Sequence, residues 1–180
     1  MKKFIIYLCL FSAIKADSQN LVLNPSFEDT ILCPTTIFPM QCKYWYRATM
    51  GSPDYFSEQP NIFCGTSYVP QSGVGYQYAR TGIAYVGLAT LMQPLNPNYL
   101  NRREYIGGEL SDTLKQGHEY CVSFYVSVAE EFKYVTDGIG LYLSVDSAVD
   151  YTINTNLSFV PQISNPSGNI IYDTLNWVQI

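Results

Sequence analysis

The sequence predicts an all-β protein, specifically an antiparallel β-sandwich. Apolar residues recur at every second position in several short stretches, glycine and proline punctuate the segments between them, and helical periodicity is weak throughout. Many short strands with such punctuation are typical of a sandwich. The main predicted strands cover residues 20–24, 82–89, 103–110, 119–129 and 138–145.

The clearest predicted strand is the segment 119–129, EYCVSFYVSVA. Its apolar residues from Tyr120 to Val128 would face one way, and the residues between them, from Cys121 to Ser127, the other. The segment 82–89 mixes small and large residues closely, as in a buried strand. Shorter strands are predicted around Tyr44–Tyr46 and from Asn176 onward.

The first 18 residues have the pattern of a secretory signal peptide. Lys2 and Lys3 precede an apolar run at 4–13 that is too short to cross a bilayer. Small residues at Ala16 and Ser18 predict cleavage after Ser18, and cleavage after Ala16 is the neighbouring choice. We therefore expect an exported chain whose residues 19–180 form a single β-sandwich domain.

The chain ends on Trp177–Ile180, in the middle of a predicted strand. A sandwich that stopped there would expose a hydrophobic edge. We expect that the last strands are missing and that further domains of the same polypeptide follow.

The net charge restricts the possible binding partners, and the cysteine content restricts the possible disulfides and metal sites. Without residues 1–18 the chain has 7 basic and 14 acidic residues, a net charge of −7, which argues against nucleic acid or an anionic membrane as partner. Four cysteines remain, and in an exported chain they indicate disulfides, with three possible pairings. The absence of a CxxC motif and the single histidine argue against zinc.

Several motifs follow one another along the chain: 20–28 (NLVLNPSFE), Cys33-Pro34, Trp45, 52–56 (SPDYF), 69–70 (VP), 75–77 (GYQ), 82–87 (GIAYVG), 103–106 (REYI) and 137–140 (DGIG). In this order they resemble an N-terminal module of exported Bacteroidetes surface proteins. That module often precedes an outer-membrane-protein-A-like peptidoglycan-binding domain, or a gliding-motility or type IX sorting domain. The opening is also similar to that of jelly-roll carbohydrate-binding modules of the galactose-binding-like fold. The resemblance implies a location at the cell surface or facing the periplasm.

The same resemblance implies a disulfide and a metal ligand. The family's spacing suggests that Cys33 pairs with Cys64, which leaves Cys42 and Cys121 joined to each other or free. In jelly-roll carbohydrate-binding modules a Glu just after the first strand commonly binds a structural Ca²⁺, and Glu28 matches that position. Hard oxygen ligands suit Ca²⁺. The alternative is a carboxylate that accepts hydrogen bonds from a turn.

Catalytic residues have little support in the sequence. His118 lies in a turn and is expected to face solvent, and Glu130 and Glu131 would point to opposite faces of a strand, so they cannot form a glycosidase pair. The segment Arg102-Arg103-Glu104 could bind a ligand carboxylate or sugar, or an Arg–Glu pair within it could cap a strand. We therefore predict a non-catalytic protein.

Carbohydrate binding has more support, because the chain has 16 tyrosines, 9 phenylalanines and 2 tryptophans. Aromatic faces pack on the apolar faces of sugar rings. We predict that a glycan or other surface ligand is bound by the loop aromatics Trp45, Tyr55 and Tyr76. Asp54 and Gln77 would form hydrogen bonds with the hydroxyls of the ligand. The alternative is that Trp45 and most tyrosines form a satellite core. The alternative functions are a structural or adhesive spacer domain and an accessory part of a hydrolase.

Overall fold

The computed structural model describes residues 19–31, 42–58, 68–91, 101–152 and 155–180. These residues form ten short strands and no helix, which confirms the all-β prediction. The predicted signal peptide, residues 1–18, and both members of the implied Cys33–Cys64 pair lie outside the described residues. No helix long and apolar enough to span a membrane occurs in the described ranges.

The strands pair two by two, and every pair is antiparallel. β1 pairs with β6, β2 with β5, β3 with β4, β7 with β10, and β8 with β9. Over the described residues these pairs are separate two-stranded sheets. The strands are β1 (Trp45–Arg47), β2 (Asp54–Ser57), β3 (Gln71–Ser72), β4 (Gly75–Tyr76), β5 (Ala84–Gly87), β6 (Ile106–Gly108), β7 (Tyr125–Val126), β8 (Gly140–Leu141), β9 (Ile163–Ser164) and β10 (Val178–Gln179).

The β2–β5 ribbon is buried on both faces. Neighbouring residues of a strand point to opposite sides, so Tyr55 packs with Cys42 in one core cluster, whereas Phe56 packs with Val69 and Tyr85 in another. Phe56 and Tyr85 face each other across the ribbon with their rings stacked at 5.0 Å. This double burial explains why the predicted strand at 82–89 is apolar on both sides.

The opening segment forms a single bridge in place of the predicted strand at 20–24. Val22 bridges to Leu110, and the Leu23 N–H donates to the Glu109 carbonyl at 3.1 Å. Asn24 has a φ of 49°, which turns the backbone out of the extended conformation, and Pro25 follows directly. The turn therefore ends the segment before a strand can form.

The predicted strand at 119–129 is also much shorter in the structure. Only β7 pairs, with β10, and Phe124 and Ile180 exchange two backbone hydrogen bonds of 3.2 and 2.9 Å. Residues 119–121 are exposed and have no ladder partner in the described part of the chain. Alternation fixes which side chains can face inward, but a strand also needs a second backbone beside it. For the same reason β6 and β8 are shorter than predicted.

Two loops that contain the sequence Asn-Pro-Ser are each closed by hydrogen bonds from the side-chain amide of their asparagine. The Asn24 Nδ2 donates to the carbonyls of Asp29 and Lys43 at 3.0 and 3.1 Å. The Asn165 Nδ2 donates to the carbonyls of Asn169 and Asp137 at 2.7 and 3.1 Å. Each amide closes its own loop and ties it to a distant segment.

Candidate functional site

Trp45 is an anchor of the first core cluster. Its ring centre lies 4.7 Å from that of Phe27, and its Nε1 donates to the Asn24 carbonyl at 2.9 Å. The ring also covers Gly108, where a Cβ would lie 2.7 Å from it. Trp45 is half-buried and tied to the opening loop, in the arrangement that the satellite-core alternative describes.

Tyr55 lies in the middle of β2, whereas the sequence placed it in a loop. Its side chain is 2 % exposed, and its hydroxyl donates to the Phe27 carbonyl at 3.0 Å. Burial raises the pKa of this phenol to about 12. The ring belongs to the core, and the structure does not bring it to the surface with Tyr76.

Asp54 lies close enough to a second carboxylate, that of Glu104, for the two charges to interact. Glu104 is 9 % exposed; its Oε1 accepts from the Ser52 N–H and hydroxyl at 3.1 and 3.0 Å, and its Oε2 from the Ala89 N–H at 2.8 Å. The Asp54 Oδ1 is buried and has no hydrogen-bond partner among the described residues. Burial, with a smaller effect of the Glu104 charge, raises the pKa of Asp54 to about 7.

Tyr76 and Gln77 meet in an open cleft of about 310 Å³, here called the aromatic cleft. It is built from two segments that lie about 100 residues apart in the chain. Its lining residues are Tyr76, Gln77, Tyr78, Ala79, Arg80, Leu175, Asn176 and Trp177.

The first wall of the aromatic cleft is an extended segment that continues from β4. Side chains alternate along it, so Tyr76, Tyr78 and Arg80 are exposed while Gln77 and Ala79 are half-buried. The rings of Tyr76 and Tyr78 lie 5.6 Å apart and nearly perpendicular, with their hydroxyls 3.3 Å apart. This hydrogen bond raises the pKa of Tyr76.

The second wall is the turn at residues 173–177. The Asp173 carboxylate accepts from the Asn176 N–H at 2.8 Å, from the Asn176 side-chain amide at 3.1 Å and from the Leu175 N–H at 2.8 Å, and these bonds lower the pKa of Asp173. The Trp177 Nε1 donates to the Tyr78 carbonyl at 3.0 Å, and its ring meets that of Tyr85 edge-on at 5.6 Å. Trp177 therefore joins the two walls and connects them to the second core cluster.

Amide groups are held in place beside the rings. The Gln77 Oε1 accepts from the Ser127 hydroxyl at 3.2 Å, and the Gln77 Nε2 donates to the Tyr78 carbonyl at 3.2 Å. The Asn176 side chain is exposed at the opposite wall. The cleft thus offers flat aromatic surfaces next to groups that can exchange hydrogen bonds with hydroxyls.

Glu28 lies at the predicted position after the first bridge, where its Oε1 accepts from the Ile83 N–H at 2.9 Å. The nearby carbonyls of Asn24 and Phe27 accept from Trp45 and Tyr55. No group of three or more His, Cys, Asp or Glu that could hold a metal occurs in the described ranges. The described residues thus assemble no carboxylate cluster for Ca²⁺ at Glu28, and Ca²⁺ binding there stays a prediction.

Arg80 and Trp177 are among the residues of the aromatic cleft that sequence reasoning missed. Arg80 could have been found from the alternation in YQYAR, residues 76–80, which places it on the same side as Tyr76 and Tyr78. Trp177 carried no such signal, because its contact with Tyr78 spans 99 residues of chain.

Comparisons with protein-family models, curated proteins and solved structures gave no match for this chain. The resemblance to exported surface modules therefore stays a prediction, and the residues themselves carry the functional argument.

Proposed function

We propose that this protein is a secreted, non-catalytic cell-surface module that binds carbohydrate through the aromatic cleft. The observation that carries the proposal is the convergence of Tyr76, Tyr78 and Trp177 on one open cleft. Sugar rings present apolar C–H faces that pack on aromatic rings, and their hydroxyls suit the amides of Gln77 and Asn176.

The expected affinity is weak. Each ring contact contributes about 0.5–1.5 kcal/mol beyond the burial of area, so a few contacts correspond to dissociation constants in roughly the micromolar to millimolar range. Such a module would act through several copies on one surface, where avidity compensates for the weak single contact.

The wider architecture is part of the proposal. The antiparallel pairing of all five described strand pairs, and the burial of both faces of β2–β5, support a sandwich of jelly-roll, galactose-binding-like type. The pattern of residues 1–18 supports secretion. The resemblance described above supports the surface location.

A structural or adhesive spacer domain is the second candidate, and a different observation favours it. Many large apolar side chains are exposed between residues 132 and 175, as expected of a surface that contacts another protein domain. They are Phe132, Tyr134, Val135, Tyr142, Val145, Tyr151, Phe159, Val160, Ile170, Tyr172 and Leu175.

The test is a titration with soluble polysaccharides, with and without Ca²⁺, guided by a glycan array. Tyr76→Ala and Tyr78→Ala should each weaken binding about tenfold, which corresponds to roughly 1.4 kcal/mol. Tyr151→Ala is the matched control, because Tyr151 is 51 % exposed, close to the 47 % and 53 % of Tyr76 and Tyr78, but lies outside the cleft.

Tyr151→Ala should change the affinity less than about twofold. If no glycan binds, or if all three substitutions act alike, the carbohydrate proposal fails and the spacer function takes its place. A fall in affinity or in melting temperature on removal of Ca²⁺, abolished by Glu28→Gln, would support the metal at Glu28.

A further inference from the structure

Arg80 carries the only charge among the described residues that line the aromatic cleft. Its guanidinium carbon lies 3.3 Å from the centre of the Tyr125 ring, which is a cation–π contact. Tyr125 belongs to β7, and its hydroxyl donates to the Gln179 Oε1 of β10 at 3.1 Å. The guanidinium is therefore held against a ring that is itself fixed by the β7–β10 pair.

This contact leaves the hydrogen-bonding edge of Arg80 available. The guanidinium carbon lies over the face of the Tyr125 ring, and the five N–H donors of a guanidinium point outward in its own plane. Within the described ranges Arg80 makes neither an ion pair nor a hydrogen bond. An oriented guanidinium with free edges suits a carboxylate, which it can bind through two parallel hydrogen bonds.

The acidic groups next to the cleft already have other partners. The Glu130 Oε2 accepts from the Tyr76 N–H at 2.9 Å, and the Asp173 carboxylate accepts from Leu175 and Asn176. Neither forms an ion pair with Arg80 in the described part of the chain. Their charges do oppose a polyanion at long range, as does the net charge of −5 for the whole chain.

The Arg80 guanidinium favours a ligand with a carboxylate, whereas the surrounding negative charge disfavours a ligand with many negative charges. These two effects define the chemical class of the ligand. We infer that Arg80 binds the carboxylate of a single uronic acid within an otherwise neutral oligosaccharide, while Tyr76, Tyr78 and Trp177 pack on the sugar faces. This inference rests on the proposed carbohydrate function and adds the chemical class of the sugar. A densely charged polymer would meet the surrounding negative charge and bind less well than an oligosaccharide with one carboxylate.

The test uses neutral oligosaccharides that each carry one uronic acid, such as xylotetraose with a single glucuronic acid branch. Each is compared with its own derivative in which the carboxyl is reduced to a primary alcohol. The wild-type chain should bind at least one acidic form about tenfold more tightly than the reduced form, as expected of a charge-assisted bidentate contact. Arg80→Gln should bind both forms with the affinity that the wild type shows for the reduced one.

Two further variants separate the contact from net charge. Arg80→Lys keeps the charge but loses the planar fork, so it should retain only part of the preference. Arg47→Gln removes an equal charge from an exposed position on β1, outside the cleft, and should leave the preference unchanged. Thermal unfolding of each variant checks that the fold is intact.

Each outcome decides the inference. Equal affinity of the wild type for acidic and reduced forms, or equal weakening of both by Arg80→Gln, overturns the role of Arg80. If Tyr76→Ala still weakens both forms in that case, the carbohydrate function stands without it. If no oligosaccharide or polysaccharide binds, both proposals fall.

Discussion

The Glu28 carboxylate lies directly against the backbone of Gly82. A Cβ at residue 82 would be 2.0 Å from the Glu28 Oε1, the oxygen that accepts the Ile83 N–H at 2.9 Å. Gly82 also has a φ of 64°, a conformation that favours glycine. Glu28 therefore fixes the turn that leads into β5, in the arrangement that the turn-binding alternative describes.

Gly82→Ala should destabilise the fold by about 2–3 kcal/mol. The backbone conformation accounts for about 1 kcal/mol, and displacement of the Glu28 carboxylate from the Ile83 N–H accounts for the rest. Gly117→Ala is the control, because Gly117 has a φ of 81° and open space around its Cβ position; it should cost about 1 kcal/mol. Urea unfolding measures both.

The same substitution in a Glu28→Ala background gives a sharper test. Without the carboxylate, Gly82→Ala should cost no more than Gly117→Ala, so the two changes at residues 28 and 82 should be non-additive. Additive costs would contradict the contact between Glu28 and Gly82.

Asn24→Ala should destabilise the fold by about 2–4 kcal/mol, because its side chain makes hydrogen bonds to two backbone carbonyls and also accepts the Asp29 N–H at 3.1 Å. Its φ of 49° adds strain for alanine. Asn20→Ala, which removes one exposed hydrogen bond to the Val22 N–H, should cost about 0.5 kcal/mol. If urea unfolding shows similar losses of stability for Asn24→Ala and Asn20→Ala, Asn24 does not join its own loop to the segment that contains Lys43.

Asp54 should make stability fall as pH rises. Its pKa is 3.8 ordinarily and about 7 in the folded chain, so between these values the folded state holds a proton that the unfolded state has lost. The contribution of Asp54 is thus fully present below about pH 4 and is lost by about pH 7.

Asp54→Asn should therefore raise the free energy of unfolding at pH 8 by about 1–2 kcal/mol and leave it nearly unchanged at about pH 3. Partial exposure of the carboxyl keeps the effect below the full pKa difference. Asp146→Asn, at an exposed position, should change it by less than about 0.5 kcal/mol at both pH values. Identical pH profiles for the wild type and Asp54→Asn would refute the raised pKa of Asp54 in the folded chain.

The two described cysteines are both free, with Cys42 buried and Cys121 exposed. The sequence left open whether Cys42 and Cys121 form a disulfide with each other or stay free. In the structure they are separate thiols. Burial raises the pKa of Cys42 from 9.0 to about 11, which lowers its thiolate fraction at pH 8 about 100-fold.

Iodoacetamide at pH 8 should modify Cys121 in the folded chain and leave Cys42 unmodified until denaturant is added. Peptide mapping measures both, with Cys121→Ser as the control for the exposed site. A Cys42–Cys121 disulfide, or equal labelling of both in the folded chain, would contradict the structure. The same maps test the implied Cys33–Cys64 pair.

By itself, the sequence determined the all-β class. Apolar alternation and scarce helical periodicity predict antiparallel strands because side-chain direction follows from the backbone of a single segment. The adjacency of Tyr76 and Gln77 is local in the same sense. β5 lies within its predicted segment for this reason.

Tertiary structure decided which segments meet. The segment 119–129 pairs over only part of its length, because a strand requires a partner whose position no alternation pattern specifies. The sequence placed both Tyr55 and Tyr76 in loops, yet one fills the core and the other lines the cleft. Trp177 lines the cleft because the fold brings it against Tyr78, which lies 99 residues earlier in the chain. Contacts between such distant residues depend on the packing of the whole chain.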